Sequence, residues 1–435
     1  MPCRLQVLIA GGGIGGLACA IALRRAGHSV TVLEKSSLSH EIGQGITCAP
    51  NGSKVLDRLG FDISKQLPLA DYMGTHVVKA DNLEILSWQD YSNLNERLGF
   101  RVKTAYRPDL HAALVELATG AGEGEAVIIK TKTGVAEWNA EAGSLVLEDG
   151  AVLTADLIIA ADGVKSQAAK HILEPHLTCP SIDSSSTIVY RFTLPTAKIK
   201  NDPEMSHLLD AGDGICTFNV STPRMDRWLV RYYCRNNEIC NFALYALESR
   251  SETDLQENGL RFKTDRSSLV KAMQGFHPSL LKVASLADDV LPLWRCTTRE
   301  PLERLHRGRM AVIGDAAHPL LPHQGLGAVS AIEDAGALGA LFSNLPLHSS
   351  QDTGRLVSER LELFSQLRVP RVAAYKFYSD TPFFRDAVQE QGQKVMKWYK
   401  GEDLPARAED LRPWSMAYDV VEDAERKMAE AGFLE

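Results

Sequence analysis

The chain has 435 residues, of which 45% are hydrophobic and 23% charged, with a formal net charge of −8. That composition is globular, and the length exceeds one compact core, so two or three lobes are expected. The acidic balance argues against nucleic acid or an anionic membrane as main partner, since both need a basic face.

The N-terminus, MPCRLQVLIAGGG, has too short an apolar run for a signal peptide, and no run of about 18 apolar residues marks a membrane span. The eight cysteines (Cys3, Cys19, Cys48, Cys179, Cys216, Cys234, Cys240 and Cys296) are scattered and form no C-x-x-C. They read as reduced and mostly buried, which fits a cytoplasmic protein.

In chain order, residues 4–10 read as an apolar strand, 14–26 as an Ala/Leu-rich helix, and 29–34 (SVTVLE) as a β-branched strand. Together they make a βαβ unit of about 30 residues. NGSKVLDRLG reads as a helix over 50–59 that ends at Gly60, and its GSK is no P-loop, lacking a glycine five residues before Gly52. Residues 75–100 read as strands and loops. RPDLHAALVELAT reads as a helix over 107–119 with Pro108 in its first turn.

Strands follow at 126–132, 144–148 and 151–160, with a turn at Asp149-Gly150. Residues 180–290 are β-rich and aromatic and suggest a second, sheet-based lobe. Residues 309–313 return to a buried strand. A Gly/Pro-rich loop then leads into a helix over about 326–343, and the remainder from about 355 reads as helical and charged.

Gly11-x-Gly13-x-x-Gly16 lies between a predicted strand and a predicted helix, and Glu34 ends the next strand. The first glycine makes the tight turn, the second admits a pyrophosphate to the backbone, and the third lets helix and strand pack closely. The helix N-terminus supplies free N–H groups, and the acid accepts from a ribose hydroxyl. This is a dinucleotide site, and the motif alone does not separate FAD from NAD.

Two later stretches do separate them: LIIAADGVKSQ (157–167) and GDAAHPLLPHQGLGAVSAIEDA (314–335). Gly11–Gly16, Asp162-Gly163 and Gly314-Asp315, with GQGI at 43–46 and RPDLHAAL at 107–114, resemble the fingerprints of the flavoprotein hydroxylases, the para-hydroxybenzoate and salicylate hydroxylase group. The resemblance covers nearly all of residues 5–345. It implies an α/β fold: a Rossmann-type FAD-binding domain of the para-hydroxybenzoate hydroxylase type, a β-sheet substrate domain and C-terminal helices. The division it implies is 1–75, 101–178 and 286–350 for FAD, 76–100 and 179–285 for substrate, and 351–435 as a helical tail.

The resemblance further implies tightly bound FAD, with NAD(P)H as a transient reductant. Glu34 would hold the adenosine ribose, Arg107 the linker region, and Asp315 the ribityl chain. Asp162 would lie where FAD and NAD(P)H meet the protein. Gly45, Gly327 and Ala328 complete the expected cofactor contacts. The 314–335 loop has physics of its own: Pro319 and Pro322 stiffen it, and Gly325 and Gly327 admit a flat ligand. A helix starting near Ala328 would place positive partial charge by the flavin's pyrimidine edge. Where the family reads GQG or GMN, this chain has Gly325-Leu326-Gly327.

His318 and His323 lack a third partner for a metal, and none is expected. No second GxGxxG follows a strand: GAGEGE at 120–125 reads as a loop. That speaks against a separate NADPH domain.

In the β-rich region Arg191 (VYRFT) and Tyr232 (VRYYCRNN) look like the catalytic arginine and tyrosine of salicylate-hydroxylase-like monooxygenases from fungal natural-product pathways. A strand interior is an unfavourable place for an unpaired cation, which strengthens Arg191. The resemblance implies hydroxylation of an electron-rich aromatic small molecule, with or without dearomatisation, through a flavin C4a-hydroperoxide formed with O₂. The alternative is epoxidation of an indole alkaloid or another alkene, followed by rearrangement. A halogenase is disfavoured because no W-x-W occurs. A flavin-free escort protein of the same fold would be colourless near 450 nm. The protein is expected as a monomer or homodimer.

Overall fold

The computed structural model describes residues 4–38, 44–173, 178–210, 212, 214–220, 227–247, 261–346, 350–380, 388–400, 404–405 and 407–434. Gly43 of the GQGI stretch lies outside them, as does Cys3. The N-terminal βαβ unit is present as strand Gln6–Ala10, helix Ile14–Arg25 and strand Ser29–Glu34. These strands sit at the centre of a six-stranded sheet. Its order is His306–Arg307, Met310–Val312, Leu157–Ala160, Gln6–Ala10, Ser29–Glu34, Ile128–Thr131. All neighbours are parallel except the first pair. Both faces are covered, so the strands read as continuous apolar runs rather than alternating ones. VLIA of the first strand is buried throughout.

Helix Gly327–Leu341 packs on helix Ile14–Arg25 through small residues. A Cβ on Gly339 would lie 2.8 Å from the Ala22 Cβ, and one on Gly15 would lie 3.0 Å from the Ala331 Cβ. Close helix approach fixes where the start of Gly327–Leu341 points.

An eight-stranded sheet forms the second layer. Its order is Arg261–Asp265, Val290–Thr298, Asp183–Pro195, Ile239–Leu247, Arg227–Cys234, Ile215–Asn219, Gly74–Lys79, Ile85–Asp90. Every pairing is antiparallel except Ile215–Asn219 with Gly74–Lys79. One face buries an apolar core that includes Leu229, Phe242 and Leu280. The other lines a cavity that opens onto the turns at the C-terminal ends of the six-stranded sheet's strands. A small sheet of Gly45–Cys48, Lys103–Tyr106 and Ala70–Asp71 bridges the layers.

Several expectations are corrected. Residues 151–160 are not one strand. Val152–Thr154 joins an antiparallel sheet with Ser144–Leu147, while Leu157–Ala160 joins the parallel sheet. The break falls at Asp156, whose N–H donates to Gln6 O and whose Oδ2 accepts from Gln6 N at 2.8 Å. Residues 75–100 contain a helix, Ser92–Leu98, closed by Gly99 at φ +67°. The β-rich region holds helices Arg266–Ala272 and Pro278–Ser285. A further strand, Val135–Asn139, lies between the expected ones and pairs with Ser144–Leu147. Strand Val290–Thr298, expected beside the FAD segments, hydrogen-bonds into the eight-stranded sheet.

The tail is helical as expected, with Ser350–Ser379, Val388–Val395, Ala408–Ala417 and Val420–Glu430. The seven described cysteines are all free thiols, six of them buried. Among the described residues no helix is long and apolar enough to cross a membrane.

Candidate active site

The glycine turn is dictated by contacts at backbone range. A Cβ on Gly16 would lie 2.0 Å from Gly11 O, and one on Gly11 would lie 2.2 Å from Ala161 O. Gly11 also has φ +108°, a conformation that favours glycine. Above Gly13 the space is open, with nothing within 4 Å of a built Cβ. Helix Ile14–Arg25 starts there without a side-chain cap and without an acid in its first turn, leaving donors and positive partial charge for an anion.

Glu34 accepts from Gly12 N at 2.6 Å and from Ser36 N at 2.7 Å, so its carboxylate is held against the turn. His111 holds the turn from the other side, its Nε2 2.7 Å from Gly12 O. His111 lies inside the quoted RPDLHAAL, yet nothing in that stretch says which backbone carbonyl its ring will meet.

From this turn a cavity of about 480 Å³ runs from the turns at the C-terminal ends of the six-stranded sheet's strands to the open face of the eight-stranded sheet. Gly13, Gly45, Arg107, Arg191, Tyr232, Asp315, Gly327 and Ala328 all line it. Gly11, Gly16, Glu34 and Asp162 do not. The glycines shape the turn from behind, and Ala161 and Gly163 line the wall on either side of Asp162. Although Asp162 is exposed, desolvation by the wall around it raises its carboxyl above the ordinary value, opposed by a hydrogen bond from Ser166.

Asp315 is accessible only because it faces the cavity; protein encloses it otherwise. That desolvation raises its pKa, while His318 and Arg107 pull it down. Its position depends on a buried network behind it. Asp334 accepts from Gly314 N at 2.9 Å and from His318 Nε2 at 2.7 Å, and its Oδ1 meets Arg368 Nε at 2.8 Å. Burial would raise the Asp334 carboxyl, but His318 and Arg368 overcome it and hold it at about 2. Glu333 pairs with Arg368 at 2.8 Å and accepts from Asn51 and Tyr375. Composition cannot reveal such a network, because its members lie up to 324 residues apart in sequence and meet only in the fold.

Helix Gly327–Leu341 begins without a side-chain cap or an acid in its first turn, and a Cβ on Gly327 would meet nothing within 4 Å. Gly325 precedes it at φ +67°. The loop is braced from the tail. His323 Nδ1 donates to Ser379 O at 2.9 Å, and Gln324 Nε2 donates to Tyr378 O at 3.4 Å. The two loop histidines thus serve different partners, His318 on Asp334 and His323 on Ser379.

The far wall is a grid set by strand register. One row reads Asn241–Tyr232–Ile215, the next Arg191–Ala243–Val230, the third Tyr245–Trp228. These alternate residues face the cavity, and those between face the core. Tyr245 and Trp228 stack at 5.0 Å and 5°. The small Ala243 leaves a recess in mid-grid. Arg191 lies 5.9 Å from the Trp294 ring, and its buried Nε makes no hydrogen bond. Burial pushes the Tyr232 phenol well above 10, with Arg191 drawing it partly down, so it stays a neutral hydroxyl at working pH.

Gly45 is needed for Tyr232. A Cβ there would lie 2.1 Å from Tyr232 Cε2, and Gly45 N donates to Asn241 Oδ1 at 2.9 Å. The residues therefore fit FAD: an open glycine cradle for a pyrophosphate, a fixed carboxylate beside it, and a second uncapped helix start 300 residues on.

The model of the FAD binding domain family matches residues 4–235 and 273–371. The FAD-dependent monooxygenase phomE' of Diaporthe leptostromiformis is 31% identical over 404 residues, covering 92% of this chain and 96% of its own. Hispidin-3-hydroxylase of Neonothopanus nambi is 28% identical, covering 97% and 96%. A salicylate hydroxylase solved as its substrate complex superposes with a TM-score of 0.69 at 21% identity, covering 97% of each chain. The family match spans most of the chain, and a relative above 30% identity runs along nearly all of it, so this chain belongs to the FAD-binding monooxygenases of the aromatic-hydroxylase type.

Proposed function

We propose that the protein hydroxylates an electron-rich aromatic small molecule, using NAD(P)H and O₂, in secondary metabolism within a reducing compartment such as the cytoplasm. The observation that carries this reading is the single cavity joining the FAD cradle to the Arg191–Tyr232 grid. Bound FAD, once reduced, supplies the activated oxygen. The chain supplies everything else. Segments 1–75, 101–178 and 286–350 hold the cofactor, with Val290–Thr298 counted in the larger sheet. Segments 76–100 and 179–285 hold the substrate, and 351–435 brace the loop.

Within the cavity Arg191 stabilises the oxyanion of a substrate hydroxyl that loses its proton, which enriches the ring in electrons. Tyr232, neutral and pinned by Gly45, donates or accepts a hydrogen bond that orients the ring. Trp228 and Tyr245 close the site with apolar surface and keep water out. A half-buried guanidinium in the substrate half favours a proton-shedding phenol over the neutral alkene of an epoxidation.

The test is NAD(P)H oxidation and product formation with a panel of phenols and indoles. Purified protein is expected to be yellow, and phenols are expected to accelerate flavin reduction. Arg191→Met is expected to uncouple NAD(P)H use from product. Full coupling in that variant overturns the role of Arg191, and a colourless protein overturns the reading.

A further inference from the structure

Strand register sets one amide in the cavity wall that the roles of Arg191 and Tyr232 leave unused. Asn241 lies on Ile239–Leu247, pairs with Tyr232 on one side and Thr193 on the other, and lines the cavity. The next residue, Phe242, points the opposite way and stacks on Phe192 in the core, with ring centroids 5.0 Å apart. Alternation therefore fixes the Asn241 side chain on the cavity face. The residue is only 2% exposed, so little besides a cavity ligand can reach it.

Gly45 decides which end of the amide is on offer. A backbone N–H only donates, and Gly45 N lies 2.9 Å from Asn241 Oδ1. The oxygen is committed to strand Gly45–Cys48, and turning the amide over would set its NH2 against that N–H. Among the described residues Nδ2 has no hydrogen-bond partner. A buried donor without a partner is costly, and an acceptor on a ligand removes that cost.

Arg191 and Asn241 occupy diagonal positions on neighbouring strands, since Arg191 pairs with Ala243. Such diagonal neighbours lie about 7–8 Å apart, a span that one substituted ring covers. Both groups donate and neither accepts through the atoms they offer. Among the described lining residues the sole carboxylate is Asp315, which belongs to the loop at the flavin end. The substrate end therefore complements two acceptor oxygens on one ring, one of them able to carry negative charge.

We propose that Asn241 is a specificity-determining residue and that the substrate is a phenol that also carries a carbonyl. The carbonyl oxygen accepts from Asn241 Nδ2 while the phenol oxygen faces Arg191. The proposal rests on the hydroxylase reading above and adds the second oxygen to it. A phenol with an alkyl group in the carbonyl's place leaves the Asn241 NH2 unpaired, which is how the site discriminates against it.

The experiment uses the FAD-loaded enzyme and two probes of one shape: 2′,4′-dihydroxyacetophenone, and 4-ethylresorcinol, in which a methylene replaces the carbonyl. Dissociation constants are read from perturbation of flavin absorbance near 450 nm, at a pH where both phenols are un-ionised. The ketone is expected to bind about three- to tenfold tighter, the scale of one neutral hydrogen bond. Asn241→Asp keeps an oxygen for Gly45 N and turns the donor into an acceptor, and Asn241→Leu removes the amide without adding charge. Both are expected to bring the ratio to one or below, whereas Arg191→Met weakens both probes and keeps it. A residue that merely braces strand Gly45–Cys48 would weaken both probes alike, so a ratio that survives in either Asn241 variant overturns the proposal. A ratio near one in the unmodified enzyme also overturns it, whether or not the variants fold, and leaves the hydroxylase reading standing. No perturbation by either phenol overturns both.

Discussion

Arg368 and Asp334 form an ion pair with no exposed surface, Nε to Oδ1 at 2.8 Å, and it ties the C-terminal helix Ser350–Ser379 to the cofactor loop. Arg368 also meets Glu333 and donates to the Ser330 carbonyl and hydroxyl. The tail is thus part of the cofactor site's foundation, since Asp334 is what holds Gly314 and His318 in place.

Removing the cation leaves two buried carboxylates without their guanidinium, Asp334 keeping His318 and Glu333 keeping only the hydrogen bonds from Asn51 and Tyr375. Arg368→Met is expected to destabilise the chain by about 3–5 kcal/mol and to lower the FAD content of the purified protein. The contrast is the exposed i,i+4 pair Arg355–Glu359, where Glu359→Gln is expected to change stability by about 0.5 kcal/mol or less. Urea titrations followed by fluorescence, with flavin counted per chain, compare the two. Equal effects would show that burial does not decide this pair's weight.

Buried histidines set the acid side of the stability profile. Burial lowers His306 from 6.5 to about 4, Arg304 adds to this, and Glu362 at 3.7 Å opposes it. Its Nδ1 lies 2.8 Å from Ser365 Oγ. The folded state keeps the ring neutral, whereas the unfolded state protonates it near 6.5. Stability from this group is complete above pH 6.5 and is lost as pH falls towards 4. The amount is about 3 kcal/mol at 1.36 kcal/mol per pH unit. His28, lowered mainly by burial as well, adds to the same slope. Asp334, held at about 2, acts only below pH 4. Unfolding free energy measured from pH 7 to pH 4 should therefore decline, and His306→Gln should flatten part of the decline. An unchanged slope in that variant counts against the assignment.

The glycine turn permits a sharper test. Gly16→Ala places a methyl 2.0 Å from Gly11 O, where only backbone can yield. The expected result is a folded protein that purifies without the absorbance near 450 nm. Gly27→Ala serves as a control because it has a left-handed φ of +92° but nothing within 4 Å of its Cβ. It should lose some stability and keep its flavin.

The two parts of the site differ in how much the sequence tells. A glycine turn is local chemistry, so strand Gln6–Ala10, Gly11–Gly16 and helix Ile14–Arg25 could be placed from a span of 20 residues. Helix Arg107–Thr119 was legible for the same reason, with Pro108 marking its start. The grid was only half legible. Alternation tells that Tyr232 and Tyr233 face opposite ways, but which one faces the cavity depends on pairing with Asn241 and Ile215.

The tail was illegible as part of the site. Arg368 and Ser379 sit in charged helical sequence that reads as solvated surface, and only packing buries them. The break at Asp156 has no local signal, because both halves of 151–160 are apolar and the choice of sheet belongs to their distant partners.

Gly45 ties these levels together and gives the most discriminating prediction. Its sequence neighbourhood resembles a cofactor contact, yet the Tyr232 ring occupies the space a Cβ would need, at 2.1 Å from Cε2. Gly45→Ala must push the ring aside or shift strand Gly45–Cys48, whose hold on the large sheet includes Gly45 N to Asn241. Since the glycine cradle lies elsewhere on the chain, FAD content should stay near one per chain. Substrate-stimulated NAD(P)H oxidation should fall by about tenfold or more, the scale seen when an orienting group moves by an ångström. Tyr232→Phe separates the two functions of the ring: it keeps the packing against Gly45 and removes only the hydroxyl. If Gly45→Ala loses flavin while Tyr232→Phe behaves as the unmodified enzyme, Gly45 serves the cofactor and the orienting role of Tyr232 is wrong. If both keep flavin and both lose coupled turnover, the Gly45–Tyr232 contact is what positions the substrate ring.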